Sequence, residues 1–106
     1  MNTKIIAGYA ASFDPITVGH LNVIKRMAPL YDEFIVFIAI NERKKHMFSE
    51  EERMKMVLEC TKDITNIRVV ISKDCYLVNH ARELGVDVII RGLRNTNDLA
   101  EEMTLF

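Results

Sequence analysis

The stretch FIVFIAI at residues 34–40 is apolar throughout and rich in β-branched side chains. A strand with one wet face alternates polar and apolar residues. A run without alternation reads as a strand covered on both faces, as in the middle of a parallel sheet. The flanking sequence agrees. Upstream, a short apolar run extends from Ile5 to Tyr9, and Val18 to Leu30 shows helical spacing, with Leu21, Ile24, Met27 and Ala28 on one face. Thr17 is the expected N-cap and Pro29 the stop. Downstream, Ser49-Glu50-Glu51-Glu52 has the form of a capping box, with Ser at the cap and Glu at the third helical position. It opens a helix to about Lys62, with Met54, Val57 and Leu58 expected on the inner side. Ile67 to Ile71 is the third expected strand. Asp74 is expected to cap a helix through Leu84, with Gly85 at the position just past its end. Val86 to Ile90 is the fourth strand, and Asn97 or Asp98 opens a last helical segment that runs to the end of the chain.

Strands that alternate with helices of about three turns imply right-handed crossovers and a parallel sheet. The 106 residues therefore read as a single α/β domain, residues 1–106, with a Rossmann-like parallel sheet in the order 3-2-1-4. In that order strands 1 and 4 lie side by side. The gap beyond their carboxyl ends is the switch point where ligands bind in such folds.

Composition narrows the function. Fourteen Lys and Arg nearly balance 15 Asp and Glu, so no global positive field exists to hold nucleic acid or an anionic membrane. Phosphate chemistry must then rest on local clusters. Cys60 and Cys75 are far apart and lack CxxC spacing, which argues against a disulfide framework or a zinc site. Both read as buried or half-buried thiols. No apolar run approaches the ~20 residues of a membrane span, and the N-terminus lacks the pattern of a signal peptide. The expected location is the cytoplasm.

The chemically loaded segments follow strands 1, 2 and 4. After strand 1 comes SFDPITVGH, residues 12–20. Gly19 and His20 fall in the first turn of a helix, where unpaired backbone N–H groups and the helix dipole favour an anion. Glycine removes a side chain where a phosphate must approach the backbone, and His20 can donate an imidazole N–H to a phosphoryl oxygen. The plain alternative is a capped helix with a packed histidine. After strand 4, Arg91-Gly92-Leu93-Arg94 sets two guanidinium groups about a glycine, a chemistry suited to bidentate phosphate contacts. After strand 2, Asn41-Glu42-Arg43-Lys44-Lys45-His46 places Lys44 or Lys45 within reach of the same crevice, or forms a solvated charged loop. His46 reads as a loop residue and His80 as a partly buried packing residue. No histidine–carboxylate set has metal-ligand spacing, and no nucleophile–base pair stands out.

SFDPITVGH resembles the T/HxGH motif of nucleotidyltransferases in the form found in the phosphopantetheine adenylyltransferase family. RGLR (residues 91–94) resembles that family's second signature and separates it from cytidylyltransferase relatives. KKxMF (Lys44 to Phe48), the EER at Glu51 to Arg53 and DCYLVNHAR (Asp74 to Arg82) are similar to the same family. The resemblance covers nearly the whole chain. It implies transfer of AMP from ATP to 4′-phosphopantetheine, giving dephospho-coenzyme A and pyrophosphate, with Mg²⁺ assisting. It further implies that Ser12 contacts both substrates, that Phe13 presents its backbone to ATP and that His20 stabilises charge at the α-phosphate. Lys44 and Arg91 would hold the phosphopantetheine phosphate, Leu77 would line the pantetheine arm, and Gly92, Leu93, Arg94 and Glu102 would border ATP. His20, Lys44 and Arg94 are the implied catalytic set. A homo-oligomer, and coenzyme A as a feedback ligand, come with the resemblance.

Two departures are visible. Ala10-Ala11-Ser12 replaces the family's proline-glycine-threonine, so Ala11 is expected either to crowd the backbone near the nucleotide or to mark a strained φ, and Cys75 replaces a common glycine. The chain stops at Phe106, whereas the family continues through a fifth strand and a serine-rich motif that grips ATP. The reading therefore expects a fragment or a truncated product, with the edge of strand 4 uncovered and prone to self-association. Two further functions stay open. One is a phosphopantetheine- or coenzyme A-binding protein of weak or no activity, and the other is a related nucleotidyltransferase with another acceptor.

Overall fold

The computed structural model describes residues 4–41, 45–73, 76–92 and 101–105, and of residues 91–92 and 101–105 only the backbone is described. The elements run β1 (Ile6–Ala11), α1 (Val18–Met27), a 3₁₀ turn (Ala28–Leu30), β2 (Glu33–Ile40), α2 (Glu50–Cys60), β3 (Ile67–Lys73), α3 (Leu77–Glu83), β4 (Val88–Gly92) and β5 (Glu101–Leu105). The sheet order is β3-β2-β1-β4-β5. The first four strands pair in parallel, with Gly8 opposite Ile35 and Ile89, and Val36 opposite Val69. The expected order 3-2-1-4 is thus present.

The uninterrupted apolar run of β2 has the cause inferred for it. Phe34, Val36, Ile38 and Ile40 face one core, with Ala7, Tyr9, Val23, Ile24 and Val57. Ile35 and Phe37 face a second core, with Ala10, Leu77, Ala81, Val86 and Ile89. Helices α1 and α2 therefore cover one face and α3 the other. Residues 34–38 of β2 are fully buried, and each such side chain contributes roughly 1.5–3 kcal/mol of apolar transfer.

Helix starts and stops follow local chemistry. Thr17 and Ser49 are N-caps, each within a reciprocal capping box. Gly85 follows α3 with φ +76°, a left-handed conformation that glycine adopts without a Cβ penalty. At the amino end of the sheet, Asp32 and Asp87 accept from the backbone N–H groups of Ile5 and Ile6. Asn66 donates to the carbonyls of Ala28 and Tyr31. These bonds fix the end of the sheet that lies away from the crevice.

Several expectations give way. Residues 101–105 form a strand rather than part of a helix, and it lies antiparallel on β4. Its β-branched Thr104 and alternating Met103 and Leu105 suit a strand, and a bare β4 edge offers a row of unpaired backbone groups to pair with. That edge is therefore covered by the chain itself, which removes the stated ground for self-association; Asn97 and Asp98 lie outside the described residues. Leu58 is exposed, because Arg53 and Val57, spaced i and i+4, take the inner face of α2. Cys60, in the last turn of α2, is exposed rather than buried. The cap position of α3 is Tyr76, without a side-chain capping bond; Asp74 and Cys75 lie outside the described residues.

Gly8 shows how tightly the second core is packed. A Cβ at Gly8 would sit 2.7 Å from Phe37 Cε2, and Phe37 is fully buried. Gly8→Ala is therefore expected to destabilise by about 1–3 kcal/mol through overpacking. Urea denaturation checks this, and an unchanged midpoint would refute it.

Candidate active site

The parallel order puts the carboxyl ends of β1, β2 and β4 on one edge of the sheet. Ala10 of β1 stands opposite Phe37 of β2 and Arg91 of β4, so the carboxyl ends of β1 and β4 flank one gap. In register, Arg91 of β4 also stands opposite Glu102 of β5, and Gly92 opposite Glu101.

The segment after β1 is built around His20. The Thr17 hydroxyl accepts from the His20 backbone N–H at 3.2 Å. In return, the Thr17 backbone N–H donates to His20 Nδ1 at 3.0 Å. A backbone N–H can only donate, so Nδ1 is the acceptor, and the neutral ring carries its proton on Nε2. The capping box of α1 thereby sets the tautomer of the histidine. Aromatic neighbours set its plane: the Phe13 ring centroid lies 4.8 Å away and that of Tyr9 6.3 Å. Gly19 is exposed. A Cβ there would meet nothing nearer than Thr17 Oγ1 at 3.5 Å, an ordinary contact. Nothing among the described residues demands glycine at 19.

Backbone strain lies two residues from where it was expected. Ala11 is extended within β1 and paired with Ile38, and its Cβ meets no penalty. Phe13 has φ 49°, a left-handed value unusual for a bulky residue.

Two residues passed over in the sequence organise the site. Asp14 accepts from the backbone N–H groups of Met47 at 2.7 Å and Phe48 at 2.8 Å, and its Oδ2 lies 3.4 Å from His46 Nδ1. Arg53 is only 1% exposed; it donates to the Ser12 carbonyl at 3.1 Å and to the Ser49 carbonyl at 3.4 Å. Its signal in the sequence was an arginine four residues before Val57, on the face that must turn inward. His46, read as a loop residue, also closes its loop, with Nε2 2.9 Å from the Asn41 carbonyl. His80 is the packing residue expected, edge-on to Phe37.

Ser12, Phe13 and His20 thus stand together on the segment after β1. Leu77 opens α3 and is 3% exposed, packed in the second core. Lys44, Leu93 and Arg94 lie outside the described residues. Among the described residues, no group of three His, Cys, Asp or Glu could hold a metal ion, and no helix is long and apolar enough to cross a membrane.

Residues 9–105 match the sequence model of the cytidylyltransferase-like family. The chain belongs to that family. It is 41% identical, over 101 residues and 95% of its length, to a phosphopantetheine adenylyltransferase of Thermotoga neapolitana. It is 42% identical, over 94% of its length, to one of Rhodopirellula baltica. It spans 62% and 55% of those two proteins, less than two thirds of either. Its fold is shared with the lipopolysaccharide core biosynthesis protein of Thermoplasma volcanium, at a TM-score of 0.70 and 22% identity, over 91% of this chain and 80% of that one.

Burial pushes the Asp14 carboxyl up, but the N–H groups of Met47 and Phe48, with Arg53 and His46 nearby, outweigh it and hold it below its ordinary value of 3.8. A carboxyl lowered by folding adds stability above that ordinary value and loses it as pH falls further. Glu52, held down by the backbone and hydroxyl of Ser49, acts in the same direction. The melting temperature of the wild-type chain should therefore drop more steeply between pH 5 and pH 3 than that of Asp14→Asn, as read by circular dichroism. Parallel curves would remove Asp14 from this account.

Proposed function

We propose that this chain is the nucleotidyltransferase part of a phosphopantetheine adenylyltransferase. The observation that carries the reading is the α1 capping box, which holds His20 in the tautomer with its proton on Nε2, beside an exposed glycine in the same helix turn. Relatives named for this activity support the substrates.

The 4′-phosphate oxygen of phosphopantetheine attacks the α-phosphorus of ATP. A new P–O bond forms, the bond between the α-phosphorus and the bridging oxygen breaks, and pyrophosphate leaves with that electron pair. This needs no protein nucleophile; it needs alignment and relief of charge. His20 donates through Nε2 to an α-phosphoryl oxygen as negative charge grows there. In the first turn of α1 the His20 N–H is held by Thr17, while those of Val18 and Gly19, which no helix satisfies internally, attract the same anion. Ser12 borders both substrates, and Phe13 presents its backbone to ATP. Lys44 and Arg91 hold the acceptor phosphate, the start of α3 with Leu77 borders the pantetheine arm, and Gly92, Leu93, Arg94 and Glu102 border ATP. Among the described residues no group of three His, Cys, Asp or Glu could hold a metal ion; Mg²⁺ bound with the nucleotide phosphates would relieve their charge. The same reading carries a cytoplasmic homo-oligomer with coenzyme A as a feedback ligand.

Calorimetric titration with phosphopantetheine and with MgATP, followed by a pyrophosphate-release assay, tests this. Both ligands should bind and turn over, and His20→Ala should cut kcat by about 10²–10³-fold, the scale of one lost transition-state donor. Preference for CTP would replace this reading with another nucleotidyltransferase. Phosphopantetheine binding without ATP binding or turnover would replace it with a binding protein.

A further inference from the structure

We propose that Asp14 and Arg53 are positioning residues. They lock the segment between β2 and α2, which carries Lys44 and Lys45, against the segment that carries Ser12, Phe13 and His20. The proposal rests on the function put forward above.

Two ties run in opposite directions between the segments. Asp14 reaches from the segment after β1 to the N–H groups of Met47 and Phe48, at 2.7 and 2.8 Å. Both are hydrogen bonds to a carboxylate, which are shorter and stronger than neutral ones. Arg53 reaches back from the first turns of α2 to the Ser12 carbonyl at 3.1 Å, while its Nε holds the Ser49 carbonyl at 3.4 Å. A third contact closes the loop on itself: His46 Nε2 lies 2.9 Å from the Asn41 carbonyl and Nδ1 3.4 Å from Asp14. In the sequence, Arg43, Lys44 and Lys45 fall between Asn41 and His46, the two ends that this contact joins.

A lysine holds a phosphate through a flexible four-carbon stem. On a loose loop it would spread over many positions, and a misplacement of 1 Å in such a reaction costs on the order of 10²-fold. The ties place that cost on the loop rather than on the substrate. Each Asp14 oxygen accepts a backbone N–H of the facing loop, which turns the carboxylate toward that loop. Arg53, buried and bonded to two carbonyls, is not a substrate-binding arginine. Both act through other residues.

Asp14→Asn keeps the side-chain volume but sets an NH₂ against one of the two N–H groups. Two readouts apply: amide hydrogen exchange at Met47 and Phe48 by NMR, and steady-state kinetics with MgATP and phosphopantetheine. We expect exchange at those two amides to rise, and kcat to fall, by about tenfold or more, with KM for ATP within about threefold. Asp14→Glu, which restores the charge, should recover part of both. Thr61→Ala breaks a buried bond to the Val57 carbonyl at the far end of α2. It should lower the melting temperature yet leave both readouts unchanged, which a general loss of stability would not do. Faster exchange with unaltered kcat would overturn the positioning role, and unaltered exchange would overturn the clamp itself. Should the wild-type chain show no turnover, the proposed function fails, and exchange alone decides the clamp: loosening supports it and its absence overturns it.

Discussion

Strand β1 is hydrogen-bonded to β2 along one side and to β4 along the other, in parallel on both. Parallel neighbours require crossovers, and here α1 and α2 cross one face while α3 crosses the other. The direction of winding therefore reverses at β1 and β4. The carboxyl ends of β1 and β4 lie side by side at that point. The rest of the molecule follows from this placement. The start of α1, with N–H groups that no helix can satisfy for itself, is delivered to this edge of the sheet, directly after β1.

The polar atoms near that point divide by what they are spent on. Thr17, His20 Nδ1, Ser49 and Glu52 are committed to two helix starts. Asp14 and Arg53 are committed to backbone groups across the two loops. A cap of this kind contributes about 1 kcal/mol, a sizeable share of a total stability of about 5–15 kcal/mol. The same bonds that stabilise the helix starts also fix the geometry of the site. His20 shows the coupling most directly, since one ring nitrogen serves the helix and thereby defines the protonation of the other.

Most of the sheet was legible because its signals are local. FIVFIAI, the Thr17 cap, the Ser49 capping box and Gly85 each state their structure within a few residues. The order 3-2-1-4 followed from alternation and handedness, and SFDPITVGH marked the site from its own spacing. What escaped was of two kinds. Asp14 and Arg53 act across 34 and 41 residues of sequence, and no periodicity announces a carboxylate that pairs with backbone amides elsewhere. Residues 101–105 followed an Asn-Asp helix signal but form an edge strand, because pairing with an open β4 outweighs a weak local preference. Leu58 erred for a related reason: an arginine took the inward position that hydrophobicity assigned to leucine.

Phe13 ties these threads together. A left-handed backbone costs a non-glycine residue roughly 1–2 kcal/mol, and Phe13 holds it at φ 49°. Full burial of its ring returns roughly 1.5–3 kcal/mol. The edge-on contact with Tyr9, centroids 5.7 Å apart, adds about 0.5–1.5 kcal/mol. The gain matches or exceeds the cost, so the kink is held by the core rather than by a ligand. Its effect is to turn the chain sharply between the Ser12 carbonyl, bonded to Arg53, and the Asp14 carboxylate, bonded to the next loop. Glycine would make the same turn with no strain, but it would bring no ring to lie 4.8 Å from the His20 imidazole. The strained residue is thus also the one that fixes the plane of the histidine, and core packing and site geometry meet in a single side chain.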